Sequence, residues 1–220
     1  MNRVLVKVCG ICDERDALDC VHVGVDVLGF HLWPDSPRAI EPRAARRIVE
    51  RLPAWTVKIG VFVDEDPARI RQIAREVGLT AVQLHGDESP EECAALAPVV
   101  WFKAFRVGAR FRAEALARYA CTTYLLDGWR PVGAQASPER FEWIRARGLA
   151  LHGRIVISGG LDPDNVAAAV EQALPYGVDV ASGVEFAPGR KDVDRVEAFV
   201  QAVRVGEATA GGTPGGRARS

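Results

Sequence analysis

The sequence predicts an α/β protein with a single (β/α)8 barrel, and three observations support this fold class. Short aliphatic runs alternate with amphipathic stretches along the chain. Each aliphatic run, taken together with the amphipathic stretch that follows it, spans roughly 20–30 residues, which is enough for a right-handed crossover between parallel strands. The eight pairs in 220 residues match one closed barrel. An open, doubly wound sheet is the alternative, but nothing in that architecture requires eight units.

The predicted strands are of the type that is covered on both faces, because they are short, largely aliphatic and show little polar alternation. They span Leu5–Cys9, Val25–Phe30, Val57–Val63, Ala81–Leu84, Val99–Phe105, Thr123–Asp127, Arg154–Ser158 and Val178–Ala181. We therefore expect a parallel sheet with helices packed around it.

Several predicted helices begin at a polar cap followed by proline, a pair that satisfies free backbone N–H groups and fixes the first helical residue. The pattern occurs at Asp66-Pro67, Ser137-Pro138, Asp162-Pro163 and Ser89-Pro90-Glu91-Glu92, the last of which is a capping box. The other predicted helices are Glu14–Val21, Arg43–Arg51, Arg112–Tyr119 and Val193–Val203.

One barrel domain is expected over residues 1–205, followed by a disordered tail over residues 206–220. The tail, GEATAGGTPGGRARS, has five glycines and no large apolar side chain. It cannot bury enough surface to offset the entropy that is lost on ordering.

Composition excludes several classes of function. The formal net charge is −1, so the chain lacks the basic excess with which a general nucleic-acid-binding protein neutralises phosphates. No apolar run approaches the ~18 residues that cross a bilayer. The first residues, MNRVLVKVCG, predict no signal peptide. The cysteines are five in number and irregularly spaced, which indicates a reducing, cytoplasmic setting.

Cys9 and Cys12 form a C-x-x-C pair, which can also indicate redox or metal chemistry. A zinc site would need two further ligands, and the sequence has no second tight pair of cysteines or histidines. We therefore expect neither a metal nor a redox role for this pair.

Polar residues at the ends of the strands are the candidates for chemistry, because the active site of such a barrel lies at the carboxyl ends of its strands. Cys9 ends the first predicted strand and Asp127 the sixth. His85 follows the fourth strand, and Arg38 lies in the loop after the second. Each of the first three has a structural alternative: a small buried thiol, a helix cap and a loop histidine bonded to the backbone.

Two glycine-containing clusters end the seventh and eighth strands and predict a phosphate site. Gly159 and Gly160 lead into a helix cap, and Ser182 and Gly183 form the second loop. Glycines let backbone N–H groups approach an anion, and barrels often bind phosphate between these two loops. A glycine pair alone is also typical of an ordinary turn.

The alternation of the first strand places Lys7 on the same face as Cys9. A nearby ammonium would lower the thiol pKa from its usual value of about 8.5 and raise the thiolate fraction. A buried lysine needs a partner, and Asp179 on the eighth strand lies next to the first strand in a closed barrel. We therefore predict a buried Lys7–Asp179 ion pair beneath the site.

A series of motifs runs in register from about residue 3 to residue 203. They are Lys7-Val8-Cys9-Gly10-Ile11, Gly29-Phe30, Ser36-Pro37-Arg38, Gly60-Val61-Phe62-Val63, Gln83-Leu84-His85-Gly86-Asp87-Glu88, Leu126-Asp127, Ser158-Gly159-Gly160-Leu161, Gly177-Val178-Asp179-Val180, Ser182-Gly183-Val184-Glu185, Pro188-Gly189 and Lys191-Asp192. Together they resemble the phosphoribosylanthranilate isomerase family. The resemblance implies a TIM barrel without cofactor or metal that catalyses an Amadori rearrangement in tryptophan biosynthesis.

The resemblance also implies roles for individual residues. It places the general base on Cys9 and the general acid on Asp127. Arg38 matches a substrate-contacting arginine, and His85 matches a position near the site. We group Asp179 with these substrate-binding residues.

The phosphate contacts that the resemblance implies fall on the two glycine clusters. Gly160 and the Ser182-Gly183 turn match backbone contacts to phosphate, and we include Gly159 with them. The expected partner is a small phosphorylated aryl-amino sugar, N-(5-phosphoribosyl)anthranilate, with no nucleic acid and no membrane. The expected assembly is a monomer or a homodimer.

The loop after the sixth strand departs from the family pattern. A Gly-Gly-Thr-Gly-like stretch is usual there, whereas residues 133–136 are Gly-Ala-Gln-Ala, ahead of a matching Phe141-Glu142-Trp143. Cys12 also stands where threonine is common. Two alternatives stay open: a paralogue that rearranges a different aryl-amino sugar in secondary metabolism, and a non-catalytic barrel that binds a sugar phosphate. The presence of both Cys9 and Asp127 disfavours the binding protein.

Overall fold

The computed structural model describes residues 3–108, 110–128 and 143–211, and eight of the strands among them form one closed barrel. Neighbouring strands of the barrel are parallel, and it closes where β1 pairs with β8. The strands are β1 Leu5–Cys9, β2 Val27–His31, β3 Val57–Phe62, β4 Ala81–Leu84, β5 Trp101–Arg106, β6 Thr123–Asp127, β7 Arg154–Ser158 and β8 Gly177–Val180. The predicted (β/α)8 fold is confirmed.

Helices connect successive strands, as the alternating pattern predicts. The α-helices are α1 Glu14–His22, α2 Pro42–Val49, α3 Pro67–Val77, α4 Pro90–Ala94, α5 Trp143–Leu149, α6 Val166–Ala173 and α7 Val193–Gly211. The connection between β5 and β6 is a 3₁₀ helix, Ala113–Arg118. No helix in the described ranges has the length and apolar character that a membrane span requires.

Two of the predicted caps form as expected. The Asp66 carboxylate accepts the N–H groups of Ala68 and Arg69 at the start of α3. Ser89 and Glu92 form the reciprocal bonds of a capping box at the start of α4. The predicted cap at Ser137 lies outside the described residues.

The cap predicted at Asp162 needs correction, because the helix does not begin at Pro163. The Asp162 carboxylate accepts the N–H groups of Asp164 and Asn165, which closes a turn. Helix α6 begins only after that turn, at Val166. The local hydrogen bonds of Asp162 thus make a tight turn rather than the first helical turn.

The second strand is displaced toward its carboxyl end relative to the prediction. Val25 donates its N–H to the Cys20 carbonyl at the end of α1, so pairing with β3 begins at Val27. At the other end β2 includes His31, which pairs with Val61. His31 therefore lies at the carboxyl end of the barrel, where the site is expected.

A hairpin that the sequence did not predict follows β8. A 3₁₀ turn, Ser182–Val184, leads into antiparallel strands β9 Glu185–Ala187 and β10 Arg190–Lys191. Gly189 adopts a φ of 75° in the turn between them, a conformation that glycine allows without strain. The hairpin returns to β1, where the Lys191 ammonium donates to the Cys9 carbonyl at 2.6 Å.

The boundary predicted between the barrel and the tail is too early. Helix α7 continues through residue 206 to Gly211, and Gly206 is buried. A Cβ on Gly206 would lie 2.6 Å from the Ala167 carbonyl oxygen, so the absence of a side chain allows α6 and α7 to approach closely. Disorder of the remaining tail stays a prediction, because residues 212–220 lie outside the described residues.

Candidate active site

Cys9 lies at the carboxyl end of β1 and is 4% exposed. Its Sγ atom is 3.2 Å from Nε2 of His31 at the end of β2. Gly29, one residue before Phe30 on β2, makes room for this group. A Cβ on Gly29 would lie 2.6 Å from the Cys9 sulfur and 3.1 Å from Nζ of Lys7. The thiol, the imidazole and the ammonium therefore share one small, enclosed space.

The predicted Lys7–Asp179 pair is confirmed. The register of β1 on β8 sets Lys7 directly opposite Asp179, and Nζ is 2.8 Å from Oδ1. Burial alone would lower the pKa of Lys7, but Asp179 and the Cys9 sulfur together raise it to about 12. The other oxygen of Asp179 accepts the Ser158 hydroxyl at 3.2 Å. Both oxygens of Asp179 thus have partners inside the barrel. Its direct contact with a substrate stays a prediction.

The expected direction of the Cys9 pKa shift is wrong. Burial is the largest influence and raises the pKa of the thiol, while Lys7 lowers it by a smaller amount. The net pKa lies above the ordinary value. Lys7 thus acts in the predicted direction, but the cost of placing a thiolate in an enclosed site outweighs it.

Asp127 ends β6, and its Oδ2 lies 3.2 Å from Nε2 of His85. The other ring nitrogen of His85 is 3.0 Å from Nε2 of Gln83, which is buried in β4. In this orientation of the Gln83 amide its nitrogen donates, so Nδ1 of His85 accepts and Nε2–H is directed at Asp127. In that tautomer His85 stabilises a negative Asp127.

Arg38 follows β2 and is already paired with a carboxylate of the protein. Its Nε and Nη2 atoms contact the two oxygens of Glu185 at 2.7–3.0 Å. Glu185 also accepts from Lys191 at 2.6 Å, and these two cations lower its pKa although burial opposes them. Among the described residues Nη1 of Arg38 has no hydrogen-bond partner, so this nitrogen can meet a substrate anion.

Residue-level reasoning missed Glu185 and Lys191, which contact Arg38 and the Cys9 carbonyl at the candidate site. Both occur in the motifs quoted above, but they lie on the unpredicted hairpin, and no strand alternation relates them to the barrel ends. His31 was missed for a related reason, because the predicted second strand stopped at Phe30. The signal that could have identified Glu185 is its position directly after the Ser182-Gly183-Val184 loop.

The two predicted phosphate loops meet each other. A Cβ on Gly183 would lie 2.0 Å from the Leu161 carbonyl oxygen, so only glycine lets the loop after β8 contact the loop after β7. Gly159 and Gly160 have φ values of 93° and 69°, and a Cβ on Gly160 would meet nothing within 4 Å. Ser182 and Gly183 begin a 3₁₀ helix, where the first N–H groups have no partner inside the helix.

The unusual loop after β6 falls at residues 129–142, which lie outside the described residues. All five cysteines are free thiols, and Cys12 donates to the Arg38 carbonyl at 3.3 Å. Within the described part of the chain, no group of three or more His, Cys, Asp and Glu side chains is arranged to hold a metal.

Comparison with known proteins gives consistent matches. A family model described as N-(5'phosphoribosyl)anthranilate (PRA) isomerase matches residues 6–202. An N-(5'-phosphoribosyl)anthranilate isomerase of Geobacter sp. (strain M21) is 47% identical over 195 residues, covering 89% of this chain and 95% of that protein.

Two solved structures extend the match to three dimensions. Phosphoribosyl anthranilate isomerase in complex with reduced 1-(o-carboxyphenylamino)-1-deoxyribulose 5-phosphate has a TM-score of 0.82 at 39% identity, covering 91% of this chain and 98% of that one. Monomers generated from the dimeric enzyme of Thermotoga maritima give a TM-score of 0.79 at 39% identity, with the same coverage.

Proposed function

The chain belongs to the N-(5'-phosphoribosyl)anthranilate isomerase family, and we propose that Cys9 and Asp127 are the base and the acid of its reaction. The enzyme is an aldose–ketose isomerase of tryptophan biosynthesis. It converts N-(5-phosphoribosyl)anthranilate to 1-(2-carboxyphenylamino)-1-deoxyribulose 5-phosphate by an Amadori rearrangement.

One observation supports the two roles above all others. Cys9 and Asp127 end strands of the same barrel, and each is in contact with a histidine ring. Because the strands of the closed barrel run parallel, the carboxyl ends that carry Cys9 and Asp127 lie at the same rim, which supports one site for both groups. A base and an acid at one site are what a proton-transfer isomerase requires.

Asp127 acts first, as the general acid. It gives its proton to the ring oxygen of the furanose, the C1–O bond breaks, and the amine lone pair forms a C1=N bond. After the transfer, the Nε2–H of His85 stabilises the carboxylate that remains.

Cys9 acts second, as the general base. Its thiolate takes the proton from C2, the C–H electron pair forms a C1=C2 bond, and the iminium nitrogen becomes a neutral amine. The enolamine then tautomerises to the ketone by losing its hydroxyl proton and gaining a proton at C1. Arg38 binds the anthranilate carboxylate through Nη1, while Glu185 holds the rest of the guanidinium in place.

The backbone of Gly159, Gly160, Ser182 and Gly183 binds the substrate phosphate in this proposal. The direct contact between the two loops supports it, because N–H groups from both can then converge on one anion. The steps above combine proton transfers with cleavage of one C–O bond and consume no external oxidant or reductant, so they require no cofactor or metal.

A fluorescence assay tests the two catalytic roles. Phosphoribosylanthranilate is generated in place from anthranilate and phosphoribosyl pyrophosphate, and its consumption is followed. We expect Cys9→Ala and Asp127→Asn each to lower kcat by ~10²–10⁴, the usual contribution of a general base or acid. Cys121→Ala is the matched control: this thiol donates to the Thr123 carbonyl at the amino end of β6, opposite the carboxyl ends that carry the site, and its removal should leave turnover intact.

Each contrary outcome would favour a different assignment. Full activity in Cys9→Ala would contradict the base assignment. Absence of turnover by the folded wild type would favour a paralogue that acts on a different aryl-amino sugar, as the altered 133–136 stretch allows. Binding of product analogues without any turnover would favour a non-catalytic sugar-phosphate-binding barrel.

Assembly and location are proposals of the same kind. We expect a monomer or a homodimer, and light scattering at assay concentration decides between them. The five free thiols support a cytoplasmic site of action.

A further inference from the structure

His31 lies between the proposed base and a buried serine. Its Nε2 is 3.2 Å from the Cys9 sulfur, and its Nδ1 is 2.7 Å from the hydroxyl oxygen of Ser36. Ser36 is 8% exposed and sits in the loop that follows β2. The mechanism above uses neither His31 nor Ser36.

The hydrogen bonds of Ser36 favour one tautomer of His31. The Ser36 oxygen accepts the backbone N–H of Arg38 at 3.1 Å. Among the described residues, the hydroxyl hydrogen has one acceptor within reach, Nδ1 of His31. If Nδ1 accepts from Ser36, the ring proton resides on Nε2 and is directed at the Cys9 sulfur.

His31 is unsuited to act as a base itself. Burial and the neighbouring cations lower its pKa to about 3, with Lys7, Arg38, His85 and Lys191 contributing after burial. A neutral imidazole that cannot take up a proton still donates one N–H. Such a donor stabilises a thiolate more than a thiol.

We propose that His31, oriented by Ser36, is a positioning residue that donates its Nε2–H to the thiolate of Cys9. The proposal deepens the base role assigned to Cys9 and rests on it. Burial of Cys9 disfavours its thiolate, so several favourable contacts are needed to stabilise the negative charge, and the Nε2–H of His31 is one of them. Lys7 and Lys191 supply positive charge near the sulfur, Asp179 opposes them, and Arg38 interacts with the sulfur at longer range.

The test is a direct titration of the Cys9 thiol. Thiolate absorbance in the ultraviolet is recorded against pH for the full chain, and the signal of Cys9→Ser is subtracted to remove the other four cysteines. We expect His31→Leu to raise the pKa of Cys9 by about one unit, a tenfold drop in thiolate below the pKa. His31→Gln, which retains an N–H near the ε position, should restore most of the shift.

Ser36→Ala tests the same point without removing the ring. The imidazole then has no hydroxyl to fix its tautomer, so the pKa of Cys9 should rise by less than in His31→Leu. This variant also serves if His31→Leu does not fold. The matched control is Leu32→Ala, which removes the next buried side chain of the same segment. It should lower stability and leave the thiol titration unchanged.

The readings that overturn the proposal are specific. An unchanged or lower thiol pKa in both His31→Leu and Ser36→Ala would show that the ring does not donate to the thiolate. An equal rise in Leu32→Ala would attribute the shift to lost packing. The titration does not depend on turnover, so full activity in Cys9→Ala would contradict the base role and leave the thiol result readable.

Kinetics then connect the thiol to the reaction. Because the active form needs Cys9 ionised, kcat/KM at pH 7 is proportional to the thiolate fraction of the free enzyme. It should fall in His31→Leu by the same factor, about tenfold, as the thiolate fraction found by titration. A lowered thiolate fraction with an unchanged kcat/KM would contradict a role for His31 in the reaction.

Discussion

The Lys7–Asp179 pair is the residue-scale feature on which the site rests. Both side chains are almost fully buried, at 6% and 7% exposure. Removing two charges from water costs several kcal/mol each, and their attraction repays this only with good geometry and further hydrogen bonds. Asp179 meets both conditions through Lys7 and Ser158. The positive charge is thereby held next to the Cys9 sulfur.

Breaking this pair should be costly. We expect Lys7→Met to lower the free energy of unfolding by about 3–5 kcal/mol, because Asp179 is left buried without its counter-charge. Urea unfolding at neutral pH measures the change. The double variant Lys7→Met/Asp179→Leu should be more stable than Lys7→Met alone, since it leaves no orphan charge. If Lys7→Met were as stable as the wild type, the ion pair would not be needed to offset the burial of Asp179.

At the scale of elements, two features that follow β8 shape the molecule. The β9–β10 hairpin brings Glu185 and Lys191 to the end of β1, where they hold Arg38 and the Cys9 carbonyl. Helix α7 packs closely on α6 through Gly206. The chain beyond the eighth strand is thus part of the barrel and of its site.

The close packing of α6 and α7 predicts the effect of one methyl group. Gly206→Ala should destabilise the protein by about 1–3 kcal/mol, because the added carbon meets backbone rather than a mobile side chain. Thermal or urea unfolding measures it. Gly148→Ala is the matched control in α5, where an added Cβ meets nothing within 4 Å. That change should be neutral or stabilising by up to about 1 kcal/mol, as helix propensity dictates.

At the scale of the whole molecule, the core holds several thiols in their neutral form. Burial raises the pKa of Cys20 to about 12 and that of Cys93 to about 11, well above the ordinary value for a thiol. These thiols stay protonated in the folded chain after they have ionised in the unfolded one. Their contribution to the free energy of unfolding is therefore fully present below the pKa of an ordinary, unfolded thiol. It is lost as pH rises through and beyond that pKa.

The protein should consequently lose stability in alkaline solution. Between about pH 8 and about pH 10, each buried thiol should remove on the order of 1 kcal/mol from the free energy of unfolding. Urea unfolding at the two pH values measures this loss. Cys20→Ala should reduce the pH dependence even though it lowers stability at pH 8. An equal alkaline loss in Cys20→Ala and wild type would exclude this thiol as a cause.

Much of the fold and part of the site follow from local pattern. The short aliphatic runs predicted eight strands, and the structure has four of them with the predicted bounds: Leu5–Cys9, Ala81–Leu84, Thr123–Asp127 and Arg154–Ser158. The Lys7–Asp179 pair was also predictable, because alternation fixes which face a strand residue occupies and barrel closure makes β1 and β8 neighbours. Both inferences need only spacing and order along the chain.

What only the tertiary structure decided depends on distances between segments that are remote in sequence. The His31–Cys9 contact requires the true end of β2, and the Arg38–Glu185 pair requires a hairpin that has no periodic signature. The net pKa shift of Cys9 is the difference between the effect of burial, which raises the pKa, and that of Lys7, which lowers it. The extent of burial is known only from the folded structure. Sequence determined that eight strands form and which of their residues share a face, because aliphatic runs and alternation are local. Packing decided the exact ends of several strands, the partners of their side chains and their charge states, because pairing and burial are properties of the whole fold.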